Sequence, residues 1–305
     1  QHVELPIFTV TFGAADDTCN VPKCSLKSGG GLLFRRMCYT EDKRFRTLQD
    51  LILRQNWAEH LVLVQGPSLS GEEPVTESLV NRIDRNAFPQ LRSVQSDIPS
   101  LCGLDKKEKN VFIVGLEDQE VKNLFERLSS SSRCDFIFDI KNQNVIVLLS
   151  SSGINYLQML ERKPYFSVAI GRHEPNFLAV AQKSHIDLSR RDLPFSNVTT
   201  NEILIGAYES VLYSSHVAKA FIENSVSFKN IRSGARSQRF QSTVGSVGTP
   251  LNSRHKLNFN ADNGNRRARF DLVIPGPETI GFWTADGGLQ CKGCPNSFKS
   301  DSMSS

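Results

Sequence analysis

Short apolar runs alternate along this chain with stretches whose apolar residues recur every three to four positions, the pattern of strands interleaved with amphipathic helices. The run 5-LPIFTVTF-12 is apolar and β-branched, ends at Gly13 and predicts a buried strand. A Gly-rich break at 29–31 follows. Thr40 is then placed to cap a helix over 41–56, with Phe45, Leu48, Leu51 and Ile52 on one face. Trp57 closes that helix, 61-LVLV-64 predicts the next buried strand, and Gly66-Pro67 turns the chain.

The pattern then repeats. A strand at 111-VFIV-114 feeds a helix over 117–128, where Val121, Leu124, Phe125 and Leu128 share a face. Strands are predicted at 136-FIFDI-140 and 145-VIVLL-149, a helix over 153–161 and a strand at 165-YFSVAI-170. A long helix over 201–223 directs Leu204, Tyr208, Val211, Val217, Ala218 and Phe221 toward the core. Leu257 to Ile274 reads as a hairpin turned at Asp262-Asn263-Gly264, and Thr279 to Trp283 as a further strand. After Gly287 the chain becomes Cys/Gly/Ser/Lys-rich, the composition of a linker or tail. Alternating βα units in two clusters predict an α/β fold with mostly parallel sheets in two lobes.

Composition changes little in that picture. The chain has 305 residues, 39% of them hydrophobic and 22% charged, which suits a globular protein with a sizeable core. The longest apolar runs are too short to span a bilayer. The chain opens on Gln1 rather than methionine, which points to a processed chain or a fragment. The net charge is +4, from 36 basic and 32 acidic residues. The local basic excess from Lys229 to Arg269 lies in Ser/Gly/Asn-rich sequence, reading as a solvated loop rather than a nucleic-acid face.

Seven cysteines stand at 19, 24, 38, 102, 134, 291 and 294. Their spacing suggests two local disulfides, Cys19 with Cys24 and Cys291 with Cys294, and three scattered singles. The odd count leaves at least one thiol free or paired outside the chain. A structural zinc would need a better second half than Cys19-x4-Cys24, so no metal is expected. A secreted setting fits these cysteines, and the sequon Asn197-Val198-Thr199 offers a glycosylation site.

Phosphate-loop, dinucleotide, zincin and nucleophile-elbow signatures are missing from the sequence, so no cofactor and no enzymatic activity are expected. The six histidines show no ligand spacing. His173-Glu174 follows a predicted strand, where α/β proteins bind ligands, and reads either as an acid/base pair or as an ordinary loop pair.

Several segments, in order, resemble the extracellular ligand-binding region of receptors with the type I periplasmic-binding-protein fold. That group includes ionotropic glutamate receptors, receptor guanylyl cyclases and class C G-protein-coupled receptors. The segment 5-LPIFTVTFGAAD-16 is similar to the family's opening strand of the crossover. The stretch 34–64 carries Phe34, Arg35, Asp42, Trp57 and a strand in the family's order. Val111 to Val114 with its helix matches a second-lobe βα unit, and 207-AYESVLYSSHVAKAF-221 resembles the family's A-Y helix, with Glu209 in the acidic place. Phe259, Gly264, Arg266, Ile280, Gly281, Trp283 and Gly288-Leu289 are most similar to the end of the amino-terminal domain in ionotropic glutamate receptors. The family's early βα units have no counterpart before Leu5, and the connection 67–100 is irregular.

The resemblance implies a two-lobed fold with an incomplete first lobe: 1–34 and 166–283 in lobe one with the C-terminal hairpin, 35–165 in lobe two, 284–305 as tail. It implies a non-catalytic extracellular domain of a plasma-membrane receptor, binding a small amino-acid-like ligand or none and assembling with homologous subunits. Any membrane attachment would come from other parts of the parent chain. Closure of two lobes would bring Thr11, Gly13 and Ala14 opposite Gly66, with Arg172 and Glu174 near the hinge. These positions read either as ligand contacts or as ordinary loop residues. If the domain serves assembly instead, the helix 41–56 would be interface. A peptide-binding domain of a receptor guanylyl cyclase and a soluble α/β enzyme are the alternatives.

Overall fold

The computed structural model describes residues 9–11, 34–36, 41–66, 88, 90–116, 118–151, 153–175, 200, 202–227, 229, 239, 242–243 and 267–295. The elements are β1 (Thr9–Thr11), β2 (Phe34–Arg36), α1 (Glu41–Arg54), β3 (Leu61–Gln65), β4 (Arg92–Gln95), α2 (Ile98–Cys102), β5 (Val111–Val114) and α3 (Asp118–Ser130). They continue with α4 (Asp135–Phe138), β6 (Val145–Leu148), α5 (Ile154–Met159), β7 (Phe166–Gly171), α6 (Glu202–Glu223), β8 (Arg269–Ile274), β9 (Glu278–Thr284) and β10 (Gly288–Cys291). The result is a mixed α/β fold with a multi-stranded sheet and flanking helices. The chain divides into two compact units: unit one, residues 1–41 and 174–269, and unit two, residues 42–173 and 270–305.

Unit two is built on an eight-stranded sheet in the order β10-β9-β8-β7-β6-β5-β3-β4. The run from β4 to β7 is parallel, with Leu61 opposite Val111, Val111 opposite Val145 and Val145 opposite Phe166. β3, β5 and β6 are apolar at nearly every position because parallel strands are covered on both faces. Val62, Val64, Phe112, Val114, Ile146 and Leu148 share one core with Val121, Leu124, Phe125 and Leu128 of α3 and Ile154 and Leu157 of α5. Alternation along each strand sends Leu61, Leu63, Val111, Ile113, Val145 and Val147 to the other face, where they too are buried.

α1 buries the predicted Phe45, Leu48, Leu51 and Ile52. It is fastened to the antiparallel half of the sheet, where Trp283 Nε1 donates to Asp50 Oδ2 at 2.6 Å and Arg54 Nη1 to Leu289 O at 2.6 Å. β8 pairs antiparallel with β7, Gly171 opposite Asp271. Residues 166–173 and 270–295, which the sequence reading groups with the first lobe and the tail, belong to unit two and supply β7 to β10 of its sheet. β10 lies within the stretch expected to be a linker. The predicted turn at Asp262–Gly264 lies outside the described residues.

Two expectations are corrected. The run 136-FIFDI-140 is not a strand: α4 covers its first three residues, and after Asp139 a 3-10 turn runs over Ile140–Asn142. A short apolar run has no periodicity to separate strand from helix. Here Asn142 and Asn144 both donate to Phe136 O (3.0 and 2.7 Å), and Asp139 accepts from Lys141 N (3.0 Å), so side chains supply partners that a sheet ladder would have given. On α6, Val211 and Ala218 are exposed, and Ile205, Glu209, Tyr213 and Val217 form the buried stripe. Apolar residues run nearly all the way round this helix, so the pattern does not choose a face.

Unit one, in its described parts, pairs β1 and β2 in parallel, Thr9 opposite Phe34, and packs α6 against β1.

Candidate functional site

The parallel strands of unit two set a candidate edge for binding. In chain order β3, β4, β5, β6 and β7 are laid side by side as second-first-third-fourth-fifth, so the direction of winding reverses between β3 and β5. Open sheets of this order bind ligands beyond the strand carboxyl ends, at the reversal. Gly66 and Leu116 stand there. A Cβ on Gly66 would lie 3.1 Å from Leu116 Cδ2 and 3.9 Å from Glu120 Oε2, so the glycine lets the two connections approach closely.

Beside them opens a groove of about 380 Å³, lined by Gln95, Ser96 and Asp97 at the carboxyl end of β4 and by Glu120, Asn123 and Arg127 along α3. Asp97 is fixed as the cap of α2, accepting from Ser100 N at 2.8 Å and Ser100 Oγ at 3.0 Å. Asn123 Oδ1 accepts from Gln119 Nε2 at 3.0 Å, which leaves its amide hydrogens directed elsewhere. The volume is in the range of small-ligand sites. Amides, two carboxylates and a guanidinium together suit a small zwitterion. A second depression, of about 530 Å³, lies at the amino edge among His60, Arg92, Lys107 and Lys109, where Arg92 is paired with Glu108 at 2.8 Å.

Further along the carboxyl edge, buried polar groups hold the ends of β6, β7 and β8 together. Arg44, from the first turn of α1, donates to Leu149 O and, at 2.9 Å, to Ile170 O, with its guanidinium carbon 5.2 Å from the Phe270 ring centre. Arg172 N donates to Ser151 Oγ at 3.1 Å. His173 N donates to Asp271 Oδ2 at 3.2 Å, and His173 Nδ1 lies 2.9 Å from Thr279 Oγ1. Arg172, His173 and Asp271 are all buried.

The sequence-derived site residues divide as follows. Gly66 and Arg172 both follow strands of unit two. Glu174 opens the second segment of unit one and is fully buried there. Burial first, and then the Glu174 carboxylate, raise the Tyr208 phenol above its ordinary range. Thr11 ends β1 in unit one. Gly13, Ala14, Asn197, Cys19 and Cys24 lie outside the described residues. Cys291 and Cys294 form the expected disulfide, and two of the scattered singles, Cys102 and Cys134, form another, with their Cα atoms 4.8 Å apart. Sequence reasoning missed Arg44, Asp271 and the 95–97 wall of the groove. The Asp97-Ile98-Pro99 cap signature was the one local signal for that wall.

Among the described residues, no helix is long and apolar enough to cross a membrane, and no group of three or more His, Cys, Asp or Glu side chains could hold a metal ion. No protein-family model matches the chain, and no curated protein matches it.

Proposed function

We propose that this chain is a non-catalytic extracellular domain of a membrane receptor, of the two-lobed type I periplasmic-binding-protein kind, serving ligand binding or subunit assembly. The observation that carries the reading is the interleaving of its two units. The chain passes between them three times, at 41/42, 173/174 and 269/270. Units joined by several strands of one chain are suited to hinge closure, in which a few residues at element ends absorb the change. The reversal point beside Gly66 and the adjoining groove support a small amino-acid-like ligand. Two disulfides in unit two support an oxidising, extracellular setting.

The test is calorimetric titration of the chain with free amino acids, together with sedimentation equilibrium. Saturable binding of one amino acid, or a concentration-dependent dimer, is the expected result. A chain that stays monomeric and binds none of them contradicts the reading.

A further inference from the structure

Strand β10 is the outer edge of the eight-stranded sheet and only four residues long. It pairs with β9 from Gly288 opposite Thr284 to Cys291 opposite Gly281, and its Leu289 O accepts the bond from Arg54. Directly after it, Cys291-Lys292-Gly293-Cys294 closes into a ring through its disulfide. That ring is seated on β9. Lys292 N donates to Ile280 O at 3.1 Å; a Cβ on Gly281 would stand 2.8 Å from Cys291 Cα, and one on Gly293 would stand 3.0 Å from Ile280 Cβ. At 281 only glycine permits so close an approach, and at 293 a side chain would press Ile280 back by a few tenths of an ångström.

We propose that the Cys291–Cys294 disulfide is a redox latch that keeps the edge strand β10 on the sheet and opens to an external dithiol while the rest of unit two stays folded. The two disulfides of unit two differ in access. Cys291 and Cys294 are both half-buried, in a ring whose Lys292 and Gly293 are exposed, whereas in the inner bridge only Cys102 is half-buried and Cys134 is fully buried. Thiol–disulfide exchange needs the attacking thiolate to reach a sulfur, and the ring can be approached at either of its cysteines while the inner bridge offers Cys102 alone, so the outer bond is the one expected to open first. A thiolate of the reductant attacks one sulfur, breaking the S–S bond to give a mixed disulfide and a cysteine thiolate. The reductant's second thiol then displaces the other cysteine. Two electrons pass from the dithiol, which becomes a disulfide, and Cys291 and Cys294 end as thiols.

The two also differ in what their loss costs the fold. The closure entropy of the denatured chain grows as three-halves of R times the logarithm of loop length, so the effect on the folding equilibrium grows as the three-halves power of that length. Opening the ring, with a separation of 3, therefore shifts the folding equilibrium roughly 30-fold less than opening Cys102–Cys134, with a separation of 32. Without the ring, the Lys292 bond and the contact over Ile280 lose their constraint, and a four-residue edge strand is left to fray. This latch is independent of the receptor reading.

The test treats the intact chain with graded dithiothreitol, traps thiols with iodoacetamide and follows backbone hydrogen exchange. Cys291 and Cys294 are expected to be alkylated at concentrations that leave Cys102 and Cys134 bridged. Exchange over 281–292 should rise about ten-fold or more while that of β5 and β6 is unchanged. The variant Cys291→Ser/Cys294→Ser should show the raised exchange without reductant and no further change with it. Reduction of Cys102–Cys134 first or at the same concentration, an opened ring with exchange over 281–292 unchanged, or loss of protection in β5 and β6 when only the ring is open would each overturn the proposal.

Discussion

Replacing Arg44 with methionine removes one side chain that joins three elements of unit two. Its guanidinium donates to Leu149 O and Ile170 O, the carbonyls at the carboxyl ends of β6 and β7, and lies over Phe270 of β8. Hydrogen bonds from a charged donor contribute about 1.5 to 3 kcal/mol each, and the loss here is near the upper end because both carbonyls stay buried without the donor. A cation–π contact of this kind adds about 1 kcal/mol. Methionine keeps the apolar packing of the stem, and removing the buried guanidinium also relieves its desolvation cost of several kcal/mol, so the net destabilisation expected is about 3 to 5 kcal/mol. With a urea slope of roughly 2 kcal/mol per M, the midpoint for unit two falls by about 1.5 to 2.5 M. Hydrogen exchange of the β6 and β7 amides at rising urea reads that unit by itself. A midpoint displaced by less than about 0.3 M would refute the claim that Arg44 braces the carboxyl edge.

Other perturbations give equally definite outcomes. The Cys102→Ala/Cys134→Ala pair should lower stability by roughly 3 to 4 kcal/mol, as chain-entropy scaling predicts for a separation of 32, measured by denaturant unfolding; a change below about 1 kcal/mol counts against that bridge. The raised Tyr208 phenol favours the neutral form in the folded chain. Its contribution is complete below the unfolded value of about 10 and is lost as pH rises from there through the folded value. Alkaline unfolding should thus be steeper for the wild type than for Tyr208→Phe, and identical curves would contradict the assignment. Gly281→Val should open the β9–β10 pairing, because a side chain there would clash with Gln290 O and stand 2.8 Å from Cys291 Cα, so the edge strand must shift; unchanged exchange over 281–291 would contradict it.

Much of unit two was legible because burial on both faces writes itself as unbroken apolar runs, as at 61–64, 111–114 and 145–149. β4 was not, since an edge strand alternates, and Arg92, Ser93 and Gln95 hide Val94. β10 was hidden by Cys/Gly/Ser/Lys composition, which reads as tail until a partner strand is known. For the site, position after a strand was enough to single out Gly66 and Arg172. The partners of Arg44 lie 105 and 126 residues away, and Cys102 and Cys134 are 32 apart, so nothing local announces either contact. Register between distant strands decides these, and no local pattern encodes it.

Of the two roles proposed, ligand binding makes the sharper claim: the reversal point of unit two receives a small ligand. The most direct measurement is the amide spectrum of the whole chain during titration with each free amino acid. The account predicts saturable shifts centred on Gly66, Ser96, Glu120 and Asn123. Shifts confined to the amino edge around His60 and Lys109, or none with any amino acid, would contradict it.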